Sequence, residues 1–298
     1  VKQIAVLGTG LMGGPMARSL ARAGFTVRAW NRDIAKARAL GHGILVAHTP
    51  EQAVTGADAV IVMLSSGPVC EEVLFGPSGA ARKMPQGTLL IVMSSIAQDE
   101  AEAMANTAQE LGLRWIDAPV SGGTPAAEAG TLSIMAGGAA PDVDAAWSIF
   151  DAMGRVTLVG PAGAGALTKL VNQVVVATTI VSISEALLLA QAGGADPARV
   201  REALMGGFAA SRILDLHGAR MIADDYVPGG PAKYQIKDTQ AARAVAERLG
   251  LDLPALTLAD RLFTDLVAHG GGDLDHSALL LELRRRNGLP VPVTSLHD

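Results

Sequence analysis

The 298 residues suffice for two domains of ordinary size, and 49% hydrophobic content supplies core material for both. A net charge of −5, from 24 basic and 29 acidic residues, argues against an electrostatic nucleic-acid surface. The one cysteine, Cys70, excludes an intrachain disulfide and fits a reducing compartment, here the cytoplasm.

Ile4-Ala-Val-Leu7 reads as a short apolar strand, so close to the first residue that no secretory leader is expected. Gly8-Thr-Gly10-Leu11-Met12-Gly13 follows, then a run of helical period from Pro15, closed by Gly24 in the manner of a C-terminal cap. Phe25-Thr-Val-Arg-Ala-Trp30 is the next strand. Strand, glycine turn, helix and strand within thirty residues form a dinucleotide-binding fingerprint in its required context. Gly8 permits the tight turn, Gly10 lets a pyrophosphate approach the backbone, and Gly13 lets the helix pack on the strand. The helix N-terminus attracts the phosphates.

The second strand ends in Asn31-Arg32 rather than in the acidic residue that binds both ribose hydroxyls. Asn31 can hydrogen-bond a ribose without repelling a phosphate, and Arg32 can grip a 2′-phosphate by charge and stacking. The pair predicts NADP as cofactor, with NAD left possible.

Buried strands are predicted at 58–64 and 88–94, ending in Ser65-Ser66 and Ser94-Ser95. The carboxyl ends of parallel strands face the ligand crevice, so these serines are either cofactor contacts or ordinary turn residues. A helix over 98–111 is stopped by Gly112, and 114–120 leads into Ser121-Gly122-Gly123. Two glycines after a serine at a strand end suit a cradle of backbone N–H groups for a carboxylate, or a plain turn. A strand at 132–138, a helix over 141–153 and a strand at 155–160 complete a first domain, 1–162.

Gly163-Ala-Gly165 then opens the longest apolar run, 167–192. Its length suits a membrane span, but Asn172, Gln173 and Glu185 within it would be costly in lipid. A buried helix at a domain or subunit boundary is predicted, with no membrane partner. Lys169, Asn172 and Gln173 stand at i, i+3 and i+4, so an amine and two amides share one face. By spacing alone Lys169 is either a catalytic centre or a lysine whose stem lies along a greasy helix.

Beyond it the sequence reads as helical, a second domain over 163–289. Asp196-Pro197 is a cap followed by a first-turn proline, Gly206-Gly207 ends that helix, and 211–222 is another. Ile236-Lys237-Asp238 lies near the start of a further helix, where the plain reading is a solvated ion pair. The six histidines show no ligand spacing, and no metal is expected. A tail over 290–298 is expected to lie extended on the surface.

Four motifs carry a family resemblance: Gly8-Thr-Gly-Leu-Met-Gly-Gly-Pro-Met-Ala17, Asp117-Ala-Pro-Val-Ser-Gly-Gly123, Gly163-x-Gly-x-x-x-Lys169-x-x-Asn172, and Ile236-Lys237-Asp238. Over nearly its full length the chain resembles the β-hydroxyacid dehydrogenases. Within them it is most similar to the branch that reduces 2-hydroxy-3-oxopropionate (tartronate semialdehyde). The resemblance implies an α/β fold: an N-terminal Rossmann-type domain, a long interdomain helix, an all-α second domain, and a homodimer or homotetramer. It implies cofactor contacts at Gly8, Gly10, Leu11, Met12, Gly13, Met63, Leu64 and Ser95, with Lys237 near the nicotinamide. It implies a substrate carboxylate at Ser121, Gly122 and Gly123, and Lys169 as proton donor and acceptor. The substrate class implied is a small carboxylate-bearing aldehyde or hydroxy acid. Several relatives carry an asparagine four residues after the lysine, where this chain has Gln173, so either Asn172 or Gln173 orients the substrate. A 3-hydroxyisobutyrate-type dehydrogenase, an imine reductase and a non-catalytic NADP-binding protein are the alternatives. Imine reductases of related architecture typically replace the lysine that is present here.

Overall fold

The computed structural model describes residues 2–41 and 43–292. Of the predicted tail, residues 293–298 lie outside the described residues, as do His42 and His297. The chain divides into two compact units, Val1–Lys169 and Leu170–Asp298. The division falls inside the long helix, not ahead of it at residue 162.

The first unit begins with β1 (Gln3–Leu7), α1 (Gly13–Arg22), β2 (Thr26–Trp30), α2 (Ile34–Arg38), β3 (Ile44–Val46), α3 (Pro50–Val54), β4 (Ala59–Val62) and α4 (Gly67–Phe75). It continues with β5 (Leu89–Val92), α5 (Gln98–Glu110), β6 (Arg114–Asp117), β7 (Val120–Ser121), α6 (Gly123–Ala129), β8 (Leu132–Gly138), α7 (Ala140–Ala145), α8 (Trp147–Asp151) and β9 (Gly154–Gly160). The strand order is β3-β2-β1-β4-β5-β6-β8-β7, with β9 on β8. The first six are parallel; β8 runs antiparallel to β6, and β9 parallel to β8. This is a Rossmann-type sheet, and the order reverses between β1 and β4, where such sheets open a ligand crevice.

Both faces of the sheet are buried, which is why its strands read as continuous apolar runs. Ile4, Val6, Ile61 and Ile91 enter one core; Ala5, Leu7, Val60 and Val92 enter the other. Two predicted elements are broken. The run 114–120 is interrupted at Ala118-Pro119, where proline lacks an N–H for the ladder, and β7 resumes antiparallel to β8. The helix expected over 141–153 breaks at Ala146, whose ψ of −1° ends α7 before α8 begins.

Helix α9 (Ala164–Ala192) starts in the first unit and runs into the second. The second unit adds α10 (Pro197–Met205), α11 (Arg212–Ile222), α12 (Ala232–Arg248), α13 (Pro254–Leu266) and α14 (Leu279–Arg286). Asp196 and Ser211 cap α10 and α11 by accepting from Ala198 N and Leu214 N. Ala177, Ile180 and Leu187 of α9 share a core with Leu214, Met221, Leu262 and Phe263. The expected burial of α9 holds on one face only. A third of its most apolar window is buried, and Val171, Val175 and Leu189 are exposed.

Candidate active site

The three glycines after β1 lack side chains for three different reasons. Gly8 has φ +98°, and a Cβ there would meet Met63 O at 2.2 Å. A Cβ on Gly13 would stand 2.0 Å from Gly8 O, so α1 packs on the strand only without one. Gly10 is exposed and has nothing within 4 Å of its missing Cβ. No neighbour in the chain demands a glycine there, and the space beside its backbone is open. Helix α1 carries no acidic residue in its first turn and no side-chain cap, which keeps its N-terminus suited to an anion. Leu11, 84% exposed, and part-buried Met12 complete the loop.

Asn31 serves the loop before any ligand. Its Oδ1 accepts from Thr9 N at 3.0 Å and its Nδ2 donates to Asp33 O at 3.0 Å. Arg32 beside it is exposed. At the end of β4, Met63 N donates to Leu7 O at 2.8 Å and Leu64 N donates to Ser94 Oγ at 2.7 Å. Ser94 is buried and also accepts from Cys70 Sγ, so it is a strut, whereas Ser95 is exposed. Structure thus separates two serines that the sequence leaves equivalent. Ser121 ends β7, and the exposed pair Gly122 (φ +131°) and Gly123 (φ +68°) turns the chain into α6. Two successive positive φ values are open to glycine and strained for other residues.

One residue of the second motif has a role that sequence reasoning missed. Asp117, at the carboxyl end of β6, is fully buried. Its Oδ1 accepts from Gly163 N at 2.8 Å and Trp115 Nε1 at 3.2 Å, and its Oδ2 accepts from Ala166 N at 2.8 Å. Burial pushes this carboxyl above its ordinary value, and the hydrogen bonds from Gly163, Ala166 and Trp115 oppose that rise. All three partners are donors, so the geometry suits the ionised form. A Cβ on Gly165 would meet Asp117 O at 2.3 Å and Met135 O at 2.4 Å; one on Gly137 would meet Gly165 N at 2.6 Å. The Gly163-x-Gly165 motif is therefore the close docking of α9 on β6 and β8. Lys169 follows one turn later and is part-buried.

In the second unit Gln173 is engaged at both ends. Its Oε1 accepts from Asn172 Nδ2 at 2.9 Å, and its Nε2 donates to Asp238 Oδ2. Asp238 is thus tied to an amide and is not simply solvated; Lys237, next to it on α12, is exposed.

Folding also gathers a group that sequence spacing conceals. His217, Asp275 and His276 bring potential ligand atoms within 4.8 Å of one another. The oxygens of Asp275 are already taken. Oδ1 accepts from Ser277 N and Oγ, and Oδ2 from Gly229 N, Gly230 N and Arg220 Nη1, the last at 2.9 Å. His217 Nδ1 stands 3.5 Å from Asp275 Oδ1, and the two Nε2 atoms of His217 and His276 are 3.2 Å apart. A guanidinium already balances the carboxylate, so the cluster acts as a hydrogen-bonded tie for the loop before α12. Burial would raise the Asp275 carboxyl; His217, His276 and Ser277 outweigh it and hold it well below the carboxylate range. Burial pushes His276 down to about 4, with Asp275 opposing and His217 and Arg220 assisting.

Residues 3–160 match the NAD binding domain of 6-phosphogluconate dehydrogenase. Residues 163–283 match the domain described as NAD-binding of NADP-dependent 3-hydroxyisobutyrate dehydrogenase. The 2-hydroxy-3-oxopropionate reductase of Escherichia coli (strain K12) is 42% identical over 94% of this chain and 97% of its own. A protein of Arabidopsis thaliana named probable 3-hydroxyisobutyrate dehydrogenase-like 1, mitochondrial, is 38% identical over 97% of this chain and 87% of its own. Among solved structures, Mycobacterium tuberculosis 3-hydroxyisobutyrate dehydrogenase with L-serine is similar at a TM-score of 0.86. It is 29% identical, over 95% of this chain and 99% of that one.

Proposed function

The chain belongs to the β-hydroxyacid dehydrogenase family of NAD(P)-dependent oxidoreductases, and we propose that it reduces 2-hydroxy-3-oxopropionate to glycerate with NADPH. Bound NADPH supplies the hydride that the carbonyl carbon receives. The backbone around Gly8, Gly10 and Gly13 holds the pyrophosphate, with Leu11, Met12, Met63, Leu64 and Ser95 around the cofactor and Lys237 close to its nicotinamide. Arg32 takes the 2′-phosphate. Ser121, Gly122 and Gly123 hold the substrate carboxylate and so fix the carbonyl, which turns encounter into orientation. Lys169, as ammonium, gives a proton to the developing alkoxide; in reverse its neutral form takes the proton from the hydroxyl. Of the two amides, Asn172 is assigned to the substrate, because Gln173 is engaged through both Oε1 and Nε2, whereas the bond between them takes up only the Nδ2 of Asn172.

The observation that supports this reading best is the anchoring of α9. Gly163 N and Ala166 N bond the carboxylate that ends β6, which puts Lys169 one turn from the carboxyl edge of the sheet where the glycine loop also lies. The test is initial rates with NADPH against tartronate semialdehyde and methylmalonate semialdehyde, for the wild type and Lys169→Ala. The wild type should prefer tartronate semialdehyde. The variant should bind NADPH normally and lose turnover by about 10²–10⁴-fold. Near-normal turnover in Lys169→Ala removes the lysine from the mechanism. A preference for methylmalonate semialdehyde favours the 3-hydroxyisobutyrate-type alternative, which the 38% identical relative supports. The compartment proposed is the cytoplasm, and the assembly a homodimer or homotetramer. Exposed Val171, Val175 and Leu189 on α9 support self-association, which sedimentation equilibrium tests directly.

A further inference from the structure

We infer that Asp117 is a positioning residue for this reaction: its buried carboxylate fixes the first turn of α9, and with it the place and proton affinity of Lys169. The inference rests on the proposed role of Lys169 and adds the residue that acts through it.

The first observation is where the bonds go. Of the three donors on Asp117, two are amides that open the lysine's helix, Gly163 N and Ala166 N, both at 2.8 Å. Helix N-termini leave several amides without an internal partner, and one side-chain oxygen usually serves them. Here both oxygens of one carboxylate do so, 46 and 49 residues away in sequence. The bonds therefore fix the helix against the sheet, in rotation and in advance along its axis, as well as ending it.

The second observation is that the surroundings are shaped for this group. Gly137 and Gly165 leave space on either side, and a Cβ on either would lie 2.9 Å from a carboxylate oxygen. Gly163 takes φ +87° to bring its amide in. A charge is expensive here, since burial raises the carboxyl and the bonds from Gly163, Ala166 and Trp115 oppose that rise without cancelling it. A neutral cap would hold a helix start with less penalty. What the charge adds is an electrostatic effect on the next turn. Lys169 stands three and four residues beyond Ala166 and Gly165, so it shares their helix face, one turn above the amides that Asp117 holds. The helix N-terminus is partially positive and disfavours an ammonium; a full negative charge at the same end reverses that. Asp117 thus favours the protonated lysine that aldehyde reduction needs.

The test compares full-length wild type and Asp117→Asn in aldehyde reduction across pH, with NADPH binding followed by fluorescence. Asparagine keeps one acceptor and places an N–H against Ala166 N. We expect kcat to fall by about 10–100-fold, as for a catalytic group displaced by about 1 Å. The NADPH dissociation constant should stay within about twofold. The alkaline limb of kcat should move to lower pH by about one unit. Ile149→Val, which trims the same unit in α8, gives the effect of lost packing alone and should leave the limb where it is. Should Asp117→Asn fail to fold, Asp117→Ser is smaller, keeps a hydroxyl acceptor and is read the same way. An unmoved limb overturns the inference whatever happens to kcat, because general loosening lowers kcat without shifting the titration. Lys169→Ala measured alongside separates the two readings. Normal turnover there sinks the lysine's role, whereas a dead Lys169→Ala beside an unmoved limb in Asp117→Asn sinks this inference alone.

Discussion

Gly8 and the carbonyl of Met63 face each other so closely that a single methyl on the glycine would lie 2.2 Å from the oxygen. The end of β4 therefore presses on the start of the glycine loop and constrains its shape from within the chain. Gly10, two residues on, presses on nothing.

The two glycines should accordingly fail in different assays. Gly8→Ala combines a backbone clash with φ +98° and should cost on the order of 3 kcal/mol or more of stability. Gly10→Ala should stay within about 1 kcal/mol of wild type yet raise the KM for NADPH about tenfold or more. Urea unfolding and cofactor titration of both variants check this, and the same ranking in both assays would contradict it.

Arg32 is exposed next to a residue whose side chain is committed to the loop, so the cofactor preference should depend on this one guanidinium. Arg32→Ala should raise the KM for NADPH by about tenfold, near 1.4 kcal/mol, and leave that for NADH almost unchanged. Equal effects on both cofactors remove the assignment.

The tie around His276 gives stability a pH dependence with a defined sign. In the unfolded chain this histidine titrates near 6.5, and in the fold it is pushed down to about 4, with Asp275, His217 and Arg220 around it. Between these values the unfolded chain binds the proton and the fold does not. Stability should be full above about pH 6.5 and decline until about pH 4, by roughly 3 kcal/mol at 1.36 kcal/mol per unit. Asp275, held below its ordinary 3.8, contributes its own loss only at lower pH. Urea midpoints from pH 7.5 to 4 measure the slope, and His276→Gln should flatten it; an unchanged slope in that variant assigns it elsewhere.

What the sequence makes legible is whatever depends on neighbours in the chain. The glycine loop, the cap at Asp196 and the burial of the central strands follow from local pattern, and each is found in place. Helices α2 and α3 span five residues each, too short for a 3.6-residue period to repeat, although Asp33 and Thr49 cap them. The antiparallel turn at β8 is a choice of partner, not of composition. Asp117 stands in a motif that is easy to quote, but its partners lie 46 and 49 residues on, so its task is visible only in space. The same holds for His217 and His276, 59 residues apart.

The seam between the two units lies within α9, after Lys169, and this bears on how relatives can be recombined. A crossover placed before Gly163, where the sequence suggests a domain ends, would draw Asp117 and Gly137 from one parent and Gly165 from the other. Contacts with no room for a methyl would then be asked to match across two lineages. A crossover after Leu170 inherits that packing whole, and the lysine travels with the nucleotide-binding half.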